Sequence, residues 1–220
     1  MKSAELLDYY RRRAAEYEEI YAKPERQADL AVLKREIPER LRGRRVLEIA
    51  CGTGYWTALA AKTAASVLAT DLAEEPMQIA RAKTYPSGVV RFQFADAYAL
   101  DASLGSFDAA LAVFWWSHVP RRRLAGFVSS LHACLEPGAR VILMDNRYID
   151  GSSTPISEWD AEGNSFQLRR LADGGENRVL KNFPSEEELR RVLAAQATSL
   201  AYTALEYYWL VEYEARPRFA

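Results

Sequence analysis

Three acidic residues stand close to the ends of three successive apolar segments, and the first of them opens a glycine loop. Glu48 precedes Gly52 and Gly54 in that loop. Asp71 ends the second segment, and Asp96 follows the third. Glycines allow a tight turn and a close approach of backbone amides to a ligand. A carboxylate beside them repels a pyrophosphate and suits a cationic group, whereas an acid at a later strand end can accept hydrogen bonds from ribose hydroxyls or an adenine amino group.

These acids act on one ligand only if the surrounding elements bring the segment ends together. Apolar segments alternate with helical patterns from residue 45 onward, which predicts a parallel sheet with right-handed crossovers and helices on both faces. The predicted strands are 45–50, 66–71, 89–95, 107–114 and 140–145, and the predicted helices between them are 55–65, 74–83 and 120–135. In such a sheet, ligands bind beyond the carboxyl ends of the strands.

The two ends of the chain depart from this alternation. Helical spacing predicts a helix over 3–22 and a second helix from Pro24 to Gly43. Further along, the sequence predicts a hairpin of 166–171 and 177–181, a helix opened by a capping box at Ser185, and two antiparallel strands at 198–205 and 207–213.

Residues 46–54, Val-Leu-Glu-Ile-Ala-Cys-Gly-Thr-Gly, resemble motif I of the class I methyltransferases that use S-adenosylmethionine. Asp71 is similar to the ribose-binding acid of that family, and Asp96-Ala97 to its adenine-binding pair. Residues 107–110 and 135–139 resemble the start of its fourth strand and the turn before its fifth. The resemblance implies a Rossmann-like α/β fold with a seven-stranded, mostly parallel sheet, helices on both faces and an antiparallel C-terminal strand.

Two positions bear on this resemblance. The family usually has glycine where this chain has Ala50, a replacement that alanine tolerates if its φ is negative. The alternative for a glycine loop after a strand is a nicotinamide dehydrogenase, which needs a third small residue three positions after Gly54. This chain has Thr57 there, preceded by Trp56, and both side chains would crowd a pyrophosphate. The motif therefore disfavours the dehydrogenase.

The resemblance implies S-adenosyl-L-methionine as the cofactor and S-adenosyl-L-homocysteine as its product. Similar tyrosine-rich leaders in the family fold over the cofactor as a lid, so Tyr10 and Tyr17 are expected to contact it. Packing of the same tyrosines on the sheet is the alternative. The predicted cofactor-binding residues are Tyr10, Tyr17, Glu48, Ala50, Gly52, Gly54, Trp56, Asp71, Leu72, Met77, Asp96, Ala97, Phe114 and Trp115.

The segment after the fourth strand, residues 114–120, is expected to face the methyl acceptor. Of the pair Trp115 and Trp116, one is expected in the pocket and the other in the core. His118 is the candidate general base, with a loop-orienting role as the alternative, whereas His132 is expected to be an ordinary helix residue. The predicted catalytic residue is His118, and the predicted substrate-binding residues are Trp116, His118, Arg147 and Tyr148.

The resulting hypothesis is one methyltransferase domain that methylates an O or N atom of a small molecule, mainly by positioning. Its expected parts are an N-terminal helical lid (1–42), a cofactor-binding core (43–146), an insertion over the acceptor site (147–184) and a C-terminal helix with strands (185–220). The alternatives are an RNA or protein methyltransferase and a non-catalytic scaffold with the same fold. No metal is expected, because a catechol-type magnesium site needs an acid after the fourth strand, and 114–117 offers none.

Composition and charge argue against several other classes of protein. A net charge of −1 and a pI of about 6.2 give no general attraction to nucleic acid, and the runs 11–13 and 121–123 of arginine are expected to be solvated. Two cysteines, Cys51 and Cys134, do not indicate a disulfide framework. The N-terminus does not resemble a signal peptide, and no apolar run approaches the roughly 20 residues that span a bilayer. A cytoplasmic monomer or homodimer without a membrane partner is therefore expected.

Overall fold

The strands and helices follow the predicted alternation. The computed structural model describes residues 3–171 and 174–216. Its strands are β1 (Arg45–Ile49), β2 (Ser66–Asp71), β3 (Val90–Phe94), β4 (Phe107–Val113), β5 (Leu135–Asn146), β6 (Glu158–Trp159), β7 (Ser165–Arg170), β8 (Glu176–Leu180), β9 (Ala197–Ala204) and β10 (Tyr208–Ala215). Its α-helices are α1 (Ser3–Arg13), α2 (Gln27–Arg40), α3 (Tyr55–Ala60), α4 (Glu74–Arg81), α5 (Leu124–His132) and α6 (Glu186–Leu193).

Seven strands form the central sheet, in the order β3-β2-β1-β4-β5-β10-β9. The pairings among the first five strands are parallel. Strand β10 runs antiparallel to both β5 and β9, so the other six strands share one direction. This sheet confirms the predicted fold class. Because β1 lies between β2 and β4, the strand order reverses there, and the carboxyl ends of β1 and β4 form the crevice where such sheets bind ligands.

Helices cover both faces of the sheet. On one face α2 buries Leu33 and Ile37 completely, and on the other α5 buries Phe127. Strand β4 serves both cores, because Leu111 points into the first and Ala110 into the second. Its nearly unbroken apolar run is thus explained by burial on both faces. Truncating a buried leucine of this kind typically costs about 2–5 kcal/mol, so these cores hold the strand ends firmly in place.

The N-terminal helix is shorter than the predicted 3–22. The α-helix ends at Arg13, and Ala14–Tyr21 continues the chain as a 3₁₀ helix. Residues three apart lie above one another in a 3₁₀ helix, which places Ala14 and Tyr17 on one edge of this segment. The change of helix type therefore sets the direction of the Tyr17 side chain. A uniform period of 3.6 residues does not predict that direction.

The C-terminal elements agree with the sequence more closely. Strands β7 and β8 form the predicted hairpin, whose turn residues 172–173 lie outside the described residues. The capping box is present, since Ser185 and Glu188 each accept a hydrogen bond from the other's backbone N–H. Strands β9 and β10 pair antiparallel as predicted. Strand β5 begins five residues earlier than predicted, because Leu135 already pairs with Phe107 ahead of a register shift.

Helix α1 and the β7–β8 hairpin meet over the carboxyl ends of the strands. Tyr9, Leu171 and Val179 form a small apolar cluster there, and Leu6 and Tyr10 pack against it. The sequence pattern did not anticipate the short strand β6, which pairs with β7 at the outer side of this cover. The division into lid, core and insertion stays a prediction. Within residues 3–171 and 174–216, no helix combines the length and apolarity that a bilayer crossing requires.

Candidate active site

A cavity of about 490 Å³ opens at the carboxyl ends of the parallel strands, and we call it the glycine-loop cavity. Ala50 and Gly52 line it after β1, Asp71 at the end of β2, Asp96 after β3 and Phe114 after β4. Helix α1 and the 3₁₀ segment behind it close the opposite side. The volume lies in the range typical of small-ligand pockets.

The glycine loop contains three residues with a left-handed backbone, and they alternate with residues of ordinary conformation. The φ angles are 53° at Ala50, 56° at Gly52 and 76° at Gly54. The condition for an unstrained alanine, a negative φ, is therefore not met, and Ala50 occupies a conformation that costs a side chain roughly 1–2 kcal/mol. A β-carbon at Gly52 would meet no atom within 4 Å, consistent with its open position in the cavity wall.

Gly54 serves packing rather than the cavity. A β-carbon on Gly54 would lie 2.7 Å from the Tyr85 hydroxyl and 2.8 Å from the β-carbon of Ala80. The glycine thus lets the loop approach α4 closely, and Gly54 is absent from the cavity lining. Gly52 is needed for open space at the cavity and Gly54 for close packing against α4. The sequence alone does not distinguish these two roles.

Asp71 ties the loop to the end of β2. Its carboxylate accepts hydrogen bonds from the backbone N–H groups of Gly52 (2.8 Å), Leu72 (2.7 Å) and Ala73 (2.9 Å). Burial raises the pKa of Asp71, and these three donors act in the opposite direction. A carboxylate offers about four acceptor positions, so Asp71 keeps acceptor capacity for a hydroxyl in the cavity it lines.

Glu48 lies beneath the loop and does not line the cavity directly. It is 2% exposed, and its Oε2 atom has no hydrogen-bond partner among the described residues. Burial raises the pKa of Glu48 to about 8. An unsatisfied carboxyl oxygen in such a place costs about 1–3 kcal/mol, and a cationic or hydrogen-donating ligand group would relieve that cost.

The far end of the cavity is aromatic. Asp96 and Ala97 line it together with Leu72 and Trp115, all of which the sequence predicted as site residues. Tyr98 was not predicted. Its ring lies 5.5 Å from that of Trp115, between centroids, and the guanidinium carbon of Arg123 lies 3.4 Å from its centroid. Two arginines of the run 121–123, Arg122 and Arg123, therefore line the site, contrary to the expected solvated face.

Three predicted contacts belong to the core instead. Trp56 is buried and donates its indole N–H to the Tyr21 hydroxyl at 3.1 Å, and Met77 is fully buried behind the cavity wall. Trp116 is 2% exposed and packs edge-on against Trp209, so it is the core member of its pair. Trp115 is the member that lines the cavity. A bulky apolar residue beside a motif can pack in the core or line the ligand cavity. Sequence spacing does not distinguish these two positions.

Arg147 and Tyr148 lie outside the cavity walls. The Arg147 guanidinium donates to the backbone carbonyl oxygens of Leu205 and Glu206, which draws it towards the strand β10 side. Tyr148 packs its ring edge against Phe183. The structure therefore does not bring these two residues to the site where the sequence predicted them.

His118 lies at the wall of the cavity with both ring nitrogens engaged. Its Nδ1 lies 2.7 Å from the Leu180 carbonyl oxygen, which can only accept, so Nδ1 carries the proton. Its Nε2 lies 2.7 Å from the Tyr10 hydroxyl, and burial raises the pKa of Tyr10 to about 12, so the tyrosine is the donor. Burial and the charge of Lys181 lower the pKa of His118 well below its usual value. This arrangement favours the orienting role for His118.

A second cavity of about 380 Å³ adjoins the first, and we call it the basic basin. Tyr10, Tyr17, Phe114 and His118 line both cavities, and we call these four residues the shared wall, where the two cavities meet. Phe114 has a φ of 58°, a strained value that turns the chain at this wall. The cationic residues of the basin are Arg13, Lys23, Arg26, Arg169, Arg170 and Lys181, against two acids, Glu16 and Glu19. Part of this basin comes from the segment 147–184, which the sequence predicted as an insertion over the acceptor site, but its cationic residues were not predicted individually.

Comparisons with known proteins agree with this geometry. A family model described as a methyltransferase domain matches residues 46–138. The O-methyltransferase cnsE of Penicillium expansum is 35% identical over 120 residues, which cover 51% of this chain and 43% of that protein. The O-methyltransferase rstn1 of Aspergillus nomiae is 37% identical over 134 residues, which cover 56% and 58%. The chain thus spans about half the length of these curated relatives.

One solved structure aligns with nearly the whole chain. The DhpI–SAH complex is 29% identical to it, with a TM-score of 0.79, and covers 98% of this chain and 97% of the DhpI chain. The sheet order and the cavity define a Rossmann-like ligand-binding protein with its site at the topological switch point. The family model, the named relatives and the DhpI structure support the resemblance of this chain to the class I S-adenosylmethionine-dependent methyltransferases.

Proposed function

We propose that this protein transfers the methyl group of S-adenosylmethionine to an oxygen atom of a small molecule. The observation that carries the proposal is the pair of adjoining cavities that share the wall of Tyr10, Tyr17, Phe114 and His118. One cavity has the residues of a donor site, and the other is polar and lined by cationic side chains. Two relatives named O-methyltransferases and a neighbour solved with SAH support the same reaction.

The glycine-loop cavity fits the methyl donor in its charges and its shape. Glu48 offers a buried oxygen without a partner, as a cationic ligand requires. The open space at Gly52 lets the backbone approach the ligand, and Asp71 and Asp96 supply acceptors further along the cavity. When bound, S-adenosylmethionine supplies a methyl group on a positively charged sulfur. The residues that would hold it are Ala50, Gly52, Asp71, Asp96 and Ala97, with Glu48 below them.

The wall residues would orient the acceptor and exclude water. Tyr10 is held by His118 at one end and packs against Tyr9 and Tyr17 at ring-centroid distances of 5.0 and 5.9 Å. Such a fixed lid restricts the approach of the acceptor, and positioning of this kind can supply much of the rate of a displacement reaction. The basin lies between the N-terminal segment and the β7–β8 hairpin, and its small volume favours a small molecule over a polymer.

Calorimetric titration with S-adenosylhomocysteine tests the donor site. Wild-type protein is expected to bind it with micromolar affinity, and Asp71→Ala is expected to weaken binding at least tenfold, because an acceptor of the cavity is lost. Asp150→Ala is the matched control, since Asp150 is an exposed acid outside both cavities, and it should bind like the wild type. Absence of binding by folded wild-type protein, or equal affinity in Asp71→Ala, would contradict the proposal.

A further inference from the structure

The basic basin holds more positive charge than its own acids balance. Arg26 is 8% exposed, and its terminal nitrogens donate to the neutral oxygens of Asn146 (3.0 Å) and Ser152 (3.3 Å). The Nε atom of Arg26 is buried with no partner among the described residues. A buried guanidinium satisfied only in part is costly, which indicates a missing anionic partner.

Two further arginines of the basin repeat this pattern. Arg169 donates to the amide oxygen of Gln167 at 2.7 Å, and Arg13 donates to the Tyr9 hydroxyl at 3.0 Å. Over residues 3–171 and 174–216, no carboxylate forms an ion pair with Arg13, Arg26 or Arg169. Arginines elsewhere in the fold commonly have such a partner, as Arg140 has in Glu212 at 2.9 Å and Arg45 in Glu136 at 2.6 Å.

The cations also repel one another across the basin. Burial lowers the pKa of Lys181 to about 8, with Arg169 and Arg26 acting in the same direction and Asp145 opposing them. Burial and Arg26 lower the pKa of Lys23 as well, and Glu25 opposes them. Asp145 faces Lys181 at 2.9 Å, and Glu16 and Glu19 line the outer part of the basin. An anion bound among these groups would relieve the repulsion.

The basin meets the glycine-loop cavity at the shared wall. Lys181 Nζ lies 5.9 Å from the ring centroid of Phe114, and Phe114 lines both cavities. An anion bound in the basin next to Lys181 therefore lies beside the donor site. His118, the histidine at this wall, has both nitrogens engaged by Leu180 and Tyr10, so the site offers no free imidazole to deprotonate an alcohol.

We infer that the basic basin binds an oxyanion of the acceptor, such as a carboxylate, phosphate or phosphonate, and that an oxygen of this anion receives the methyl group. The inference rests on the proposed function and names its substrate class. An oxyanion is already deprotonated at neutral pH, so its methylation needs no general base. An anionic acceptor therefore explains both the positive charge of the basin and the engagement of both His118 ring nitrogens in hydrogen bonds.

The step balances without a further reactant. A lone pair of the anionic oxygen forms a bond to the methyl carbon, and the carbon–sulfur bond breaks with its electron pair going to sulfur. The sulfonium loses its positive charge, the oxyanion loses one negative charge, and no proton is transferred. The products are a methyl ester and S-adenosylhomocysteine. Because the ester carries one negative charge less, its attraction to the basin falls, which favours release.

A phosphate titration tests the basin independently of turnover. Inorganic phosphate is added to the protein saturated with S-adenosylhomocysteine, and binding is followed by calorimetry. Arg169→Met is expected to weaken phosphate binding at least tenfold without changing the affinity for S-adenosylhomocysteine, which also reports that the variant is folded. Arg178→Met is the matched control on the neighbouring strand of the hairpin, because Arg178 is exposed, paired with Glu158 and outside both cavities, and it should stay within twofold of wild type. Equal phosphate affinity in Arg169→Met and wild type overturns the inference.

A set of matched acceptors tests the methylated atom and distinguishes the anions. Propylphosphonate, butyrate and 1-butanol are incubated with S-adenosylmethionine, and ester or ether products are measured by mass spectrometry. Methyl ester formation from either acid, without an ether from 1-butanol, supports the inference and shows which oxyanion the basin prefers. Methylation of 1-butanol alone overturns it and leaves the proposed function standing. If none of the three reacts, the phosphate titration decides, whereas failure to bind S-adenosylhomocysteine contradicts the proposed function itself.

Discussion

The glycine-loop cavity and the basic basin share a wall, yet they are assembled in opposite ways. The first is built largely from residues that directly follow strands β1 to β4, and backbone N–H groups hold its central acid, Asp71. The second is built from long side chains of the N-terminal segment and the hairpin, such as Arg13 and Arg169, which are 156 positions apart in the sequence. The residues that would bind the ligand in the first cavity come mainly from the strand ends, whereas those of the second come from segments far apart in the chain.

The two cavities also differ in the charge of the buried group that lacks a partner. Beneath the glycine-loop cavity the unsatisfied group is an acid, Glu48, which suits a cationic donor. In the basic basin the unsatisfied group is a cation, Arg26, which suits an anionic acceptor. An unpaired acid near one cavity and an unpaired cation in the adjoining one would bring a sulfonium and an oxyanion together. The two ligand charges cancel when the methyl group is transferred. The predictions below test this contrast, beginning with the largest effect.

The Glu48 carboxyl should make the stability of the protein depend on pH. Burial raises its pKa from 4.5 to about 8, so the folded state favours the protonated form. The stability linked to this group is complete below pH 4.5 and is lost as the pH rises to about 8, by up to roughly 5 kcal/mol. Urea unfolding between pH 4.5 and 9 should show this loss in wild type and not in Glu48→Gln.

Two controls sharpen the Glu48 measurement. Glu39→Gln removes an exposed acid and should follow the wild-type pH curve. Saturating S-adenosylhomocysteine should reduce the loss, because its ammonium group supplies the cationic partner that Glu48 lacks. A Glu48→Gln curve parallel to wild type would show that the buried carboxyl does not titrate in this range.

Lys181 should behave as a structural cation and Arg169 as a ligand-binding one. Lys181→Met leaves the fully buried Asp145 without its counter-charge and should lower the free energy of unfolding by about 3–5 kcal/mol. Adding Asp145→Asn should recover most of that loss. Arg169→Met removes a cation without a carboxylate partner and should change stability by less than about 1 kcal/mol. Chemical denaturation measures all three, and a large loss in Arg169→Met would make that arginine part of the structural framework.

The role of His118 should be visible in the rate of methyl transfer. If it only positions Tyr10, His118→Gln should lower kcat less than about tenfold and leave the shape of its pH profile unchanged. A general base would contribute about 10²–10⁴-fold, with a profile that follows its ionisation. Tyr10→Phe is the companion variant, since it removes the hydrogen bond from the other side and should give a loss of similar size. A loss of a hundredfold or more in His118→Gln would restore the base assignment.

The smallest expected effect concerns Ala50. Its φ of 53° disfavours any side chain, so Ala50→Gly should raise the melting temperature modestly, corresponding to about 1 kcal/mol. Ala61→Gly is a control at a residue with a negative φ, and it should be destabilising. Differential scanning fluorimetry compares the two variants. A fall in melting temperature for Ala50→Gly would show that the loop is not strained at this position.

The same contrast explains what the sequence could predict. The parallel sheet, the glycine loop and Asp71 follow from local patterns, because apolar runs and strand-end acids are contiguous in the chain. The core positions of Trp56, Met77 and Trp116 could not be separated from cavity positions, because an apolar side chain beside a motif packs equally well on either side. The basin was missed because its cations are scattered, and Arg13 sits in a run that is typical of a solvated helix face. Only the shift to a 3₁₀ helix after Arg13 and the fold of the hairpin bring those charges together.

A crystal structure of the protein grown with S-adenosylhomocysteine and inorganic phosphate tests the central claim most directly. The account predicts the nucleoside product in the glycine-loop cavity, with its ribose at Asp71, and a phosphate in the basic basin in contact with Arg169 or Arg26. The sulfur and the phosphate should face each other at the shared wall, beside Tyr10, Phe114 and His118, with no side chain between them. A product molecule outside the glycine-loop cavity, or a basin that stays free of phosphate at saturating concentration, would contradict it.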